Sequence, residues 1–361
     1  MGLTKVAFPN TDRRGFTETV KQRVATYFKD NQISRHANAQ MLAKTAFYVG
    51  GFVALYALVI SGVLSIPEQL LVMMLLGFFL AGIGFNIGHD AIHGSYSANP
   101  KINQLMSGGF EFIGACTYTW RIRHNVIHHS YTNIVGSDGD LESMPLLRFC
   151  VKPGLKWYHR YQHWYAPFLY CFASLVWIFK KDFVHIMEER RDQRMGHKPP
   201  AMTYATLIFF KLFHLTLFLV VPYLTLNEPF WVIALGFVLM HFVTGFTLAI
   251  VFQLGHLVDG PDTIPLPTPD VITEPYAEHQ LRTSANFGTG FWATFFCGGL
   301  NYQIEHHLFP RICHVHYPAL SKIVQTTAEE FHLPYHTHPN FFAGVKSHFA
   351  TLKYMGRTHI N

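Results

Sequence analysis

The sequence Phe85-Asn-Ile-Gly-His-Asp-Ala-Ile-His93 ends an apolar run with two histidines. The stretch from His89 to His93 is called box one below. Boxes two and three read His124-Asn-Val-Ile-His-His129 and Gln303-Ile-Glu-His-His307. One metal ion rarely takes more than about six ligands, and neutral imidazole suits iron, copper, nickel and zinc. Because the boxes hold seven histidines, the sequence predicts a pair of metal ions, held almost wholly by histidine at a membrane surface.

The composition indicates an integral membrane protein. Half of the 361 residues are hydrophobic and 14% are charged, against roughly 25% charged in ordinary soluble domains. Four apolar runs, each near the ~20 residues that cross a bilayer as a helix, cover residues 46–65, 69–88, 204–226 and 229–253. We predict an all-α membrane protein with four transmembrane helices in two hairpins, 46–88 and 204–253, and a helical cap that holds the metals.

The basic residues indicate on which side of the membrane the boxes lie. They are absent from residues 45–100 and, apart from Lys211, from residues 199–281. By the positive-inside rule, the short connectors 65–68 and 227–229 therefore face away from the cytoplasm. All three boxes and both termini are then expected on the cytoplasmic side.

The same distribution defines the remaining parts of a single domain spanning 1–361. Its cytoplasmic parts are expected to be an N-terminal segment, 1–45, and two cap segments, 89–203 and 254–361. The net charge of +6 is accounted for by this topology, so we expect no nucleic-acid partner. The first 45 residues contain no leading apolar stretch, and no signal peptide is expected.

Other segments predict local structure. Lys211 and His214 interrupt the third apolar run, and we expect a buried polar contact or a snorkelling lysine there in preference to a functional role. The short apolar segments 103–120 and 287–302 are expected to lie at the cytoplasmic interface or dip into it. The charge run from Lys180 to Lys198 has no apolar stripe and predicts a solvated helix that continues from residues 165–179. The proline-rich stretch 261–275 predicts an ordered loop.

A short echo links the two hairpins. Phe85-Asn-Ile-Gly-His89 ends the first hairpin, and Phe252-Gln-Leu-Gly-His256 ends the second. Each places an amide three residues before a histidine, on the same helical face. The echo nominates His256 as an eighth metal ligand, with Asn86 and Gln253 as supporting amides.

The spacing inside the boxes supports two metals. Residues four apart on a helix, such as His89 and His93 or His124 and His128, project from the same face. Adjacent histidines point about 100° apart on a helix, so the doubled pairs His128-His129 and His306-His307 are expected to serve different ions.

Two carboxylates lie within the boxes. Asp90 follows His89, and Glu305 precedes His306. Carboxylates beside metal-bound histidines commonly accept the second imidazole N–H and fix the orientation of the ring. We therefore expect Asp90 and Glu305 to support box histidines.

These boxes resemble those of the membrane-bound fatty acid desaturases. The resemblance covers residues from about 85 to 335, and its most specific stretches are 86–93, 128–133 and 303–310, with a further similar stretch at 311–318. Box three begins with Gln303, and in this it resembles box three of the front-end subgroup. Enzymes of that subgroup desaturate between an existing double bond and the carboxyl end. In relatives of this fold a histidine near the end of the fourth membrane helix completes the site, which matches His256.

The resemblance implies an oxidoreductase that uses O₂, two iron ions and external electrons to place a double bond in a lipid acyl chain. No side chain need act as a catalytic acid, base or nucleophile. The ligands implied are His89, His93, His124, His128, His129, His256, His306 and His307. Gln303 is expected to ligate weakly or to hydrogen-bond a ligand or bound water.

The chain departs from many front-end members in two ways. It contains no His-Pro-Gly-Gly haem motif of a fused cytochrome b5 domain, so we expect a separate electron donor such as ferredoxin or cytochrome b5. This favours a bacterial inner membrane over the endoplasmic reticulum. Box two has three residues between His124 and His128, where many front-end members have two.

Three other functions are compatible with parts of the pattern. A related di-iron hydroxylase shares the histidine boxes and differs in its product. A metal carrier should place its polar ligands deep within membrane helices, whereas these boxes lie at helix ends and in the cap. A zinc hydrolase needs about three protein ligands and an open position, fewer than the eight candidates here.

Overall fold

The structure is a computed structural model that describes residues 7–9, 12, 14–142, 146–150, 154–191, 199–265 and 272–358. Its α-helices are α1 Phe16–Asp30, α2 Ala39–Ile60, α3 Ile66–Ile83, α4 His89–Ile92, α5 Pro100–Phe112, α6 Thr117–Trp120, α7 His129–Tyr131, α8 Gln162–Cys171, α9 Ala173–Val176, α10 Asp182–Arg191, α11 Ala201–Leu215, α12 Val221–Thr225, α13 Phe230–Leu254, α14 Tyr276–Thr283, α15 Phe291–Cys297, α16 Gln303–Leu308, α17 Tyr317–Glu330 and α18 Phe341–Met355.

Several of these helices are joined by π-helical or 3₁₀ segments. The π-helical segments are Gly84–Gly88, Arg121–His128, Trp177–Lys181 and Thr216–Val220, and the 3₁₀ segments are Gly139–Glu142, Trp157–Tyr161 and His314–His316. Strands β1 (Ala285–Phe287) and β2 (His336–His338) pair in parallel, with Ala285 opposite His336.

The four predicted membrane helices are confirmed. Within the described ranges, four helices are long and apolar enough to cross a bilayer: Ala39–Ile60, Ile66–Ile92, Ala201–Thr225 and Phe230–Leu254. The first begins earlier than residue 46 because the Asn38 side chain accepts a hydrogen bond from Met41 N (3.1 Å) and so caps the helix. At the first connector, Ser65 and Glu68 form a reciprocal capping box, which starts the returning helix.

The two hairpins pack through α3 and α13. A Cβ atom at Gly77 would collide with the backbone carbonyl of Met240, so the two helices are in backbone contact at this point. The Thr244 hydroxyl donates to the Gly77 carbonyl (3.0 Å) across the same contact. Small residues and interhelical hydrogen bonds of this kind drive helix association where the solvent is lipid.

Polar side chains inside the third helix make buried contacts, as predicted. Lys211 Nζ lies 2.6 Å from the Asp182 carboxylate and donates to the Gly114 carbonyl. His214 Nε2 lies 3.0 Å from His241 Nε2. These contacts tie the third and fourth membrane helices to segments of the cap.

Lys211→Met is expected to lower the free energy of unfolding by about 3–5 kcal/mol, because it leaves the buried Asp182 carboxylate without its cation. Thermal unfolding in detergent measures the effect. Lys180→Met, which removes an exposed lysine, is the matched control and should change little. The double variant Lys211→Met/Asp182→Asn should recover most of the loss; equal instability of the double and single variants would contradict the ion-pair explanation.

The expectation of a solvated helix over the Lys180–Lys198 run was wrong for its described part. Asp182 is fully buried, and Ile186 and Glu189 are buried beside it. The Asp182 carboxylate also accepts hydrogen bonds from Thr119 Oγ1 (2.7 Å) and Trp177 Nε1 (2.9 Å). One face of α10 is therefore held by polar contacts, which an apolar-stripe criterion does not detect. Residues 192–198 of the run lie outside the described residues, as do 266–271 of the proline-rich stretch.

Both short apolar segments form helices, and the first goes deeper than an interfacial position. The Phe112 ring at the end of α5 packs against Phe52 of α2 (4.8 Å between centroids). The Phe112 carbonyl accepts from His214 Nδ1 (2.9 Å). Phe52 and His214 both lie well within membrane helices, so α5 descends between them before the chain returns to box two.

Candidate metal centre

The boxes lie where helices change their hydrogen-bond pattern. The π-helical segment Gly84–Gly88 immediately precedes His89, and Arg121–His128 carries two histidines of box two on a second π-helical segment. Such i→i+5 turns are rare and occur frequently at functional sites. The eight proposed ligands are His89, His93, His124, His128, His129, His256, His306 and His307, and each is at most 9% exposed.

The first group of imidazoles is formed by boxes one, two and three together. Its potential ligand atoms lie within 4.8 Å of one another and belong to His89, His93, His124 and His306. His89 Nε2 and His124 Nε2 are 3.0 Å apart, and His129 Nε2 is 3.3 Å from His124 Nε2. Two nitrogens that bind one ion at ~2.1 Å and a right angle are separated by about 3 Å, so the spacing fits a shared ion.

The second group lies beside the first. It consists of His128, His256 and His307, again with ligand atoms within 4.8 Å. His307 Nε2 lies 3.1 Å from His256 Nε2. The doubled histidines divide between the groups: His306 belongs to the first group and His307 to the second. His129 also lies with His306 and His307 in a third combination, which places it between the groups.

Unpartnered nitrogens in this cluster also fit metal binding. Among the described residues, His93 Nε2, His129 Nδ1 and His306 Nε2 are buried without a hydrogen-bond partner. Burial lowers the pKa of His124, His129, His306 and His307 well below the usual range, and nearby imidazoles lower it further. Burial likewise lowers the pKa of His256 to about 3. These rings are therefore neutral, which is the form that ligates metals.

Other ring nitrogens are held by the surrounding protein. His256 Nδ1 donates to the Thr283 carbonyl (2.9 Å), and His128 Nδ1 donates to the Asp138 carboxylate (3.1 Å). Burial opposes charge on His128, but Asp138 and Asp140 outweigh this effect and raise the pKa of His128 to about 8. Fixing Nδ1 in this way leaves Nε2 of both rings directed toward the cluster.

A cavity of about 110 Å³ opens beside the second group. His128 and His256 line it, together with apolar side chains that include Trp120, Leu248 and Phe252. Its polar lining includes Asp138, Asp140, Asn133, Gln253 and Lys181. The lining is therefore divided between apolar side chains and polar or charged ones, and its volume suits a short stretch of hydrocarbon beside the cluster.

Comparison with known proteins agrees with this geometry. The family model described as fatty acid desaturase matches residues 65–339. The chain belongs to the fatty acid desaturase family. It is 34% identical to an sn-1 linoleoyl-lipid 6-desaturase of Synechocystis sp., covering 98% of this chain and 99% of the relative. It is 35% identical to an enzyme of the same description from Arthrospira platensis (94% and 92% covered) and 34% identical to an acyl-lipid (8-3)-desaturase of Physcomitrium patens (97% and 74%).

Gln303 of this desaturase faces the cluster. Its Nε2 atom lies 2.9 Å from His256 Nε2 and 3.3 Å from His307 Nε2, and the residue is 1% exposed. Rotating the amide exchanges its nitrogen and oxygen positions, so either a donor or an acceptor can face the imidazoles. The side chain therefore lies beside the second group of imidazoles, and its role toward a metal stays a prediction.

The two carboxylates within the boxes lie elsewhere than expected. Asp90 accepts from His314 Nδ1 (2.9 Å), outside the boxes, and Lys44 Nζ lies 2.7 Å from the other nitrogen of that ring. Glu305 accepts from Asn286 (2.8 Å) and from the Tyr335 hydroxyl (2.9 Å). Adjacent side chains on a helix point in different directions. Each carboxylate therefore points away from the histidine next to it in sequence.

The two supporting amides are placed differently from each other. Asn86 Nδ2 donates to the Gly82 carbonyl (2.9 Å), one turn back in its own helix. Gln253 lines the cavity together with His128 and His256. Of the residues in the repeated pattern, His256 lies within the imidazole cluster. Asn86 is bonded within its own helix, whereas Gln253 lines the cavity.

Asp138 was missed by sequence reasoning. It lies ten residues beyond His128, and its carboxylate also accepts from the backbone N–H groups of Asn133 (2.9 Å) and Asp140 (3.0 Å). A folded loop brings Asp138 back to the imidazole, and no helical spacing links the two residues. An acidic loop closely following a histidine box is the only sequence signal available.

Asp138→Asn is expected to lower metal affinity by roughly 10–100-fold, because it weakens the group that orients His128. Competition with a graded series of chelators measures this affinity. Asp140→Asn is the control, since the Asp140 carboxylate is 54% exposed and 3.5 Å from His128 Nδ1. Equal effects of the two substitutions would contradict a specific role for Asp138.

Proposed function

We propose that this chain is an O₂-dependent membrane lipid desaturase that uses two iron ions and acts with front-end regioselectivity. The observation that carries the proposal is the pair of buried imidazole groups beside the ends of two of the membrane helices. Membership of the desaturase family supports the reaction class. Imidazole ligands without thiolates suit ferrous iron, and the two groups offer one site for each ion.

The proposed substrate is an acyl chain of a membrane lipid. The relatives named above act, by their descriptions, on linoleoyl-lipid at position 6 or on acyl-lipids, and we extend this class of substrate to the present chain. The new double bond would lie between an existing one and the carboxyl end. The cavity of about 110 Å³ beside His128 and His256, with Trp120, Leu248 and Phe252 in its lining, supports the placement of a short stretch of an acyl chain next to the cluster.

The protein's contribution is to hold, orient and exclude water. When bound, the metal pair with O₂ and two external electrons supplies the oxidant that removes two hydrogens from neighbouring methylene carbons. The indole of Trp120 stacks on the imidazole of His124 (4.9 Å, 16°) and so fixes this ring beside the cavity. Trp120, Phe252 and Leu248 form apolar walls that hold a methylene pair close to the cluster without water.

The proposal includes a separate electron donor, either a ferredoxin or a cytochrome b5. It also places both termini and the boxes on the cytoplasmic side, by the distribution of basic residues. Among the two locations considered, we favour a bacterial inner membrane over the endoplasmic reticulum.

Purified protein supplied with O₂, a reduced donor and lipid bearing an sn-1 linoleoyl chain is expected to form a product with one additional double bond. Mass spectrometry locates that bond, and we expect it on the carboxyl side of the existing ones. The full chain should contain two iron ions. A hydroxylated product would identify the related hydroxylase, and product formation without O₂, or a single metal per chain, would contradict the proposal.

A further inference from the structure

Residues 161–179 contain no Asp, Glu, Lys or Arg, and Arg160 and Lys180 flank them. They comprise the end of a 3₁₀ turn, helices α8 and α9 and the start of a π-helical segment. Sequence reasoning placed this segment wholly in the cytoplasmic cap. Its contacts with the fourth membrane helix place it elsewhere.

The position of Ser174 measures the depth that this segment reaches. The Ser174 hydroxyl donates to the His241 carbonyl (2.8 Å) and lies 3.1 Å from His241 Nδ1. His241 is near the middle of the 25-residue helix Phe230–Leu254, about 16 Å from its outer end at a rise of 1.5 Å per residue. The hydrocarbon core is ~30 Å thick, so Ser174 lies near its centre.

Two further contacts support this depth. A Cβ atom added to Gly245 would lie 2.6 Å from the Cys171 carbonyl oxygen, so the backbones of α8 and α13 touch. The rings of Phe172 and Phe242 pack with centroids 4.7 Å apart. The turn between α8 and α9 is therefore seated against the middle of the fourth membrane helix.

The outward face of this segment is apolar. Trp164, Phe168, Val176 and Phe179 are 77%, 60%, 45% and 58% exposed. Its inward face carries the polar groups: Ser174 is 2% exposed, and Gln162 is fully buried, with its amide donating to the carbonyls of Arg148 and Leu352. An apolar outside, with the hydrogen bonds of Ser174 and Gln162 made inside the protein, is the arrangement that lipid favours.

We propose that residues 161–179 form a re-entrant membrane segment. It enters the bilayer from the cytoplasmic side, turns near Ser174 at mid-depth and returns to the same side. Trp164, Phe168, Val176 and Phe179 contact lipid acyl chains, and Arg160 and Lys180 extend to the head-group region at its two ends. Non-helical backbone at the turn is permitted at this depth because it is packed against protein.

The segment also separates the lipid phase from the metal centre. Ala173 and Trp177 line the cavity that contains His128 and His256. Exposed neighbours in the same segment, Val176 and Phe179, face outward. Bilayer hydrocarbon therefore lies one helix thickness from the cavity.

Site-directed labelling of the full chain in sealed vesicles of both orientations tests the proposal. Single cysteines would replace Arg160, Phe168, Val176 and Lys180 in a Cys171→Ser background, which retains four buried native cysteines. A membrane-impermeant maleimide should label Arg160→Cys and Lys180→Cys from the cytoplasmic side only. Phe168→Cys and Val176→Cys should not react with this maleimide from either side. In a second measurement, a nitroxide spin label attached to either cysteine should be relaxed more by O₂ than by a water-soluble nickel chelate.

Two controls calibrate the measurement. Leu71→Cys lies on the exposed face of α3, where the native side chain is 63% exposed, and reports lipid contact. Gln325→Cys lies on the exposed face of α17 in the cap and reports water. Labelling of the Phe168 and Val176 variants at the rate of Gln325→Cys would overturn the proposal. Labelling of Arg160→Cys and Lys180→Cys from opposite sides would show a spanning segment and overturn it equally. The readout needs no enzyme turnover, so it is independent of the proposed function.

Discussion

His256→Ala is expected to abolish desaturation and to reduce the metal content of the protein. His256 Nε2 lies 3.1 Å from His307 Nε2 in the second imidazole group, which contains only three histidines. Loss of one of three ligands should cost more than the ~10–100-fold expected for loss of an outer partner. Turnover with a defined lipid and metal analysis of the purified protein are the two measurements.

His348→Ala is the matched control for this experiment. His348 is as deeply buried, and its Nδ1 donates to a backbone carbonyl, that of Leu257 (2.8 Å), just as His256 Nδ1 donates to Thr283. It lies outside the imidazole groups, so its removal should lower stability while metal content is retained. Full activity of His256→Ala, or equal metal loss in both variants, would contradict ligation by His256.

The clustering of the eight candidate ligands could be predicted from sequence because its signals are local. Four-residue spacing within a box and the five-residue echo before His89 and His256 can be read without knowing the fold. The side chains that hold these ligands could not be predicted in this way. Asp138 reaches His128 through a loop, and Thr283 approaches His256 only when α14 packs beneath the cluster.

The same reasoning applies to the fold. The four spanning helices are predominantly apolar over about 20 residues each, so composition locates them even where Lys211 and His214 interrupt the third. The segment 161–179 escaped notice because Gln162, His163, Pro167 and Ser174 interrupt its hydropathy. Its depth follows from the contact between Ser174 and His241, which are far apart in sequence. His241 is also fully buried, so its replacement should reduce stability even where metal binding is retained.

Gln303→Ala is expected to lose most desaturase activity while the protein keeps its fold and its metals. The amide lies against His256 and His307 of the second group (2.9 and 3.3 Å), where other desaturases carry a histidine in box three. An amide binds metal weakly, or hydrogen-bonds a ligand or bound water, so its loss should affect turnover more than metal occupancy. Turnover, metal content and thermal unfolding would be measured on the same preparation.

Two further variants separate a role in the site from a role in packing. Gln162→Ala removes a glutamine that is equally buried but bonded to Arg148 and Leu352; it should lower stability and leave turnover per folded molecule unchanged. Gln303→His should retain metal but turn over slowly, since a strong ligand would close a coordination position that O₂ needs. Near-normal turnover of Gln303→Ala would contradict the role in the site. The side chain would then serve only to pack against Gly255.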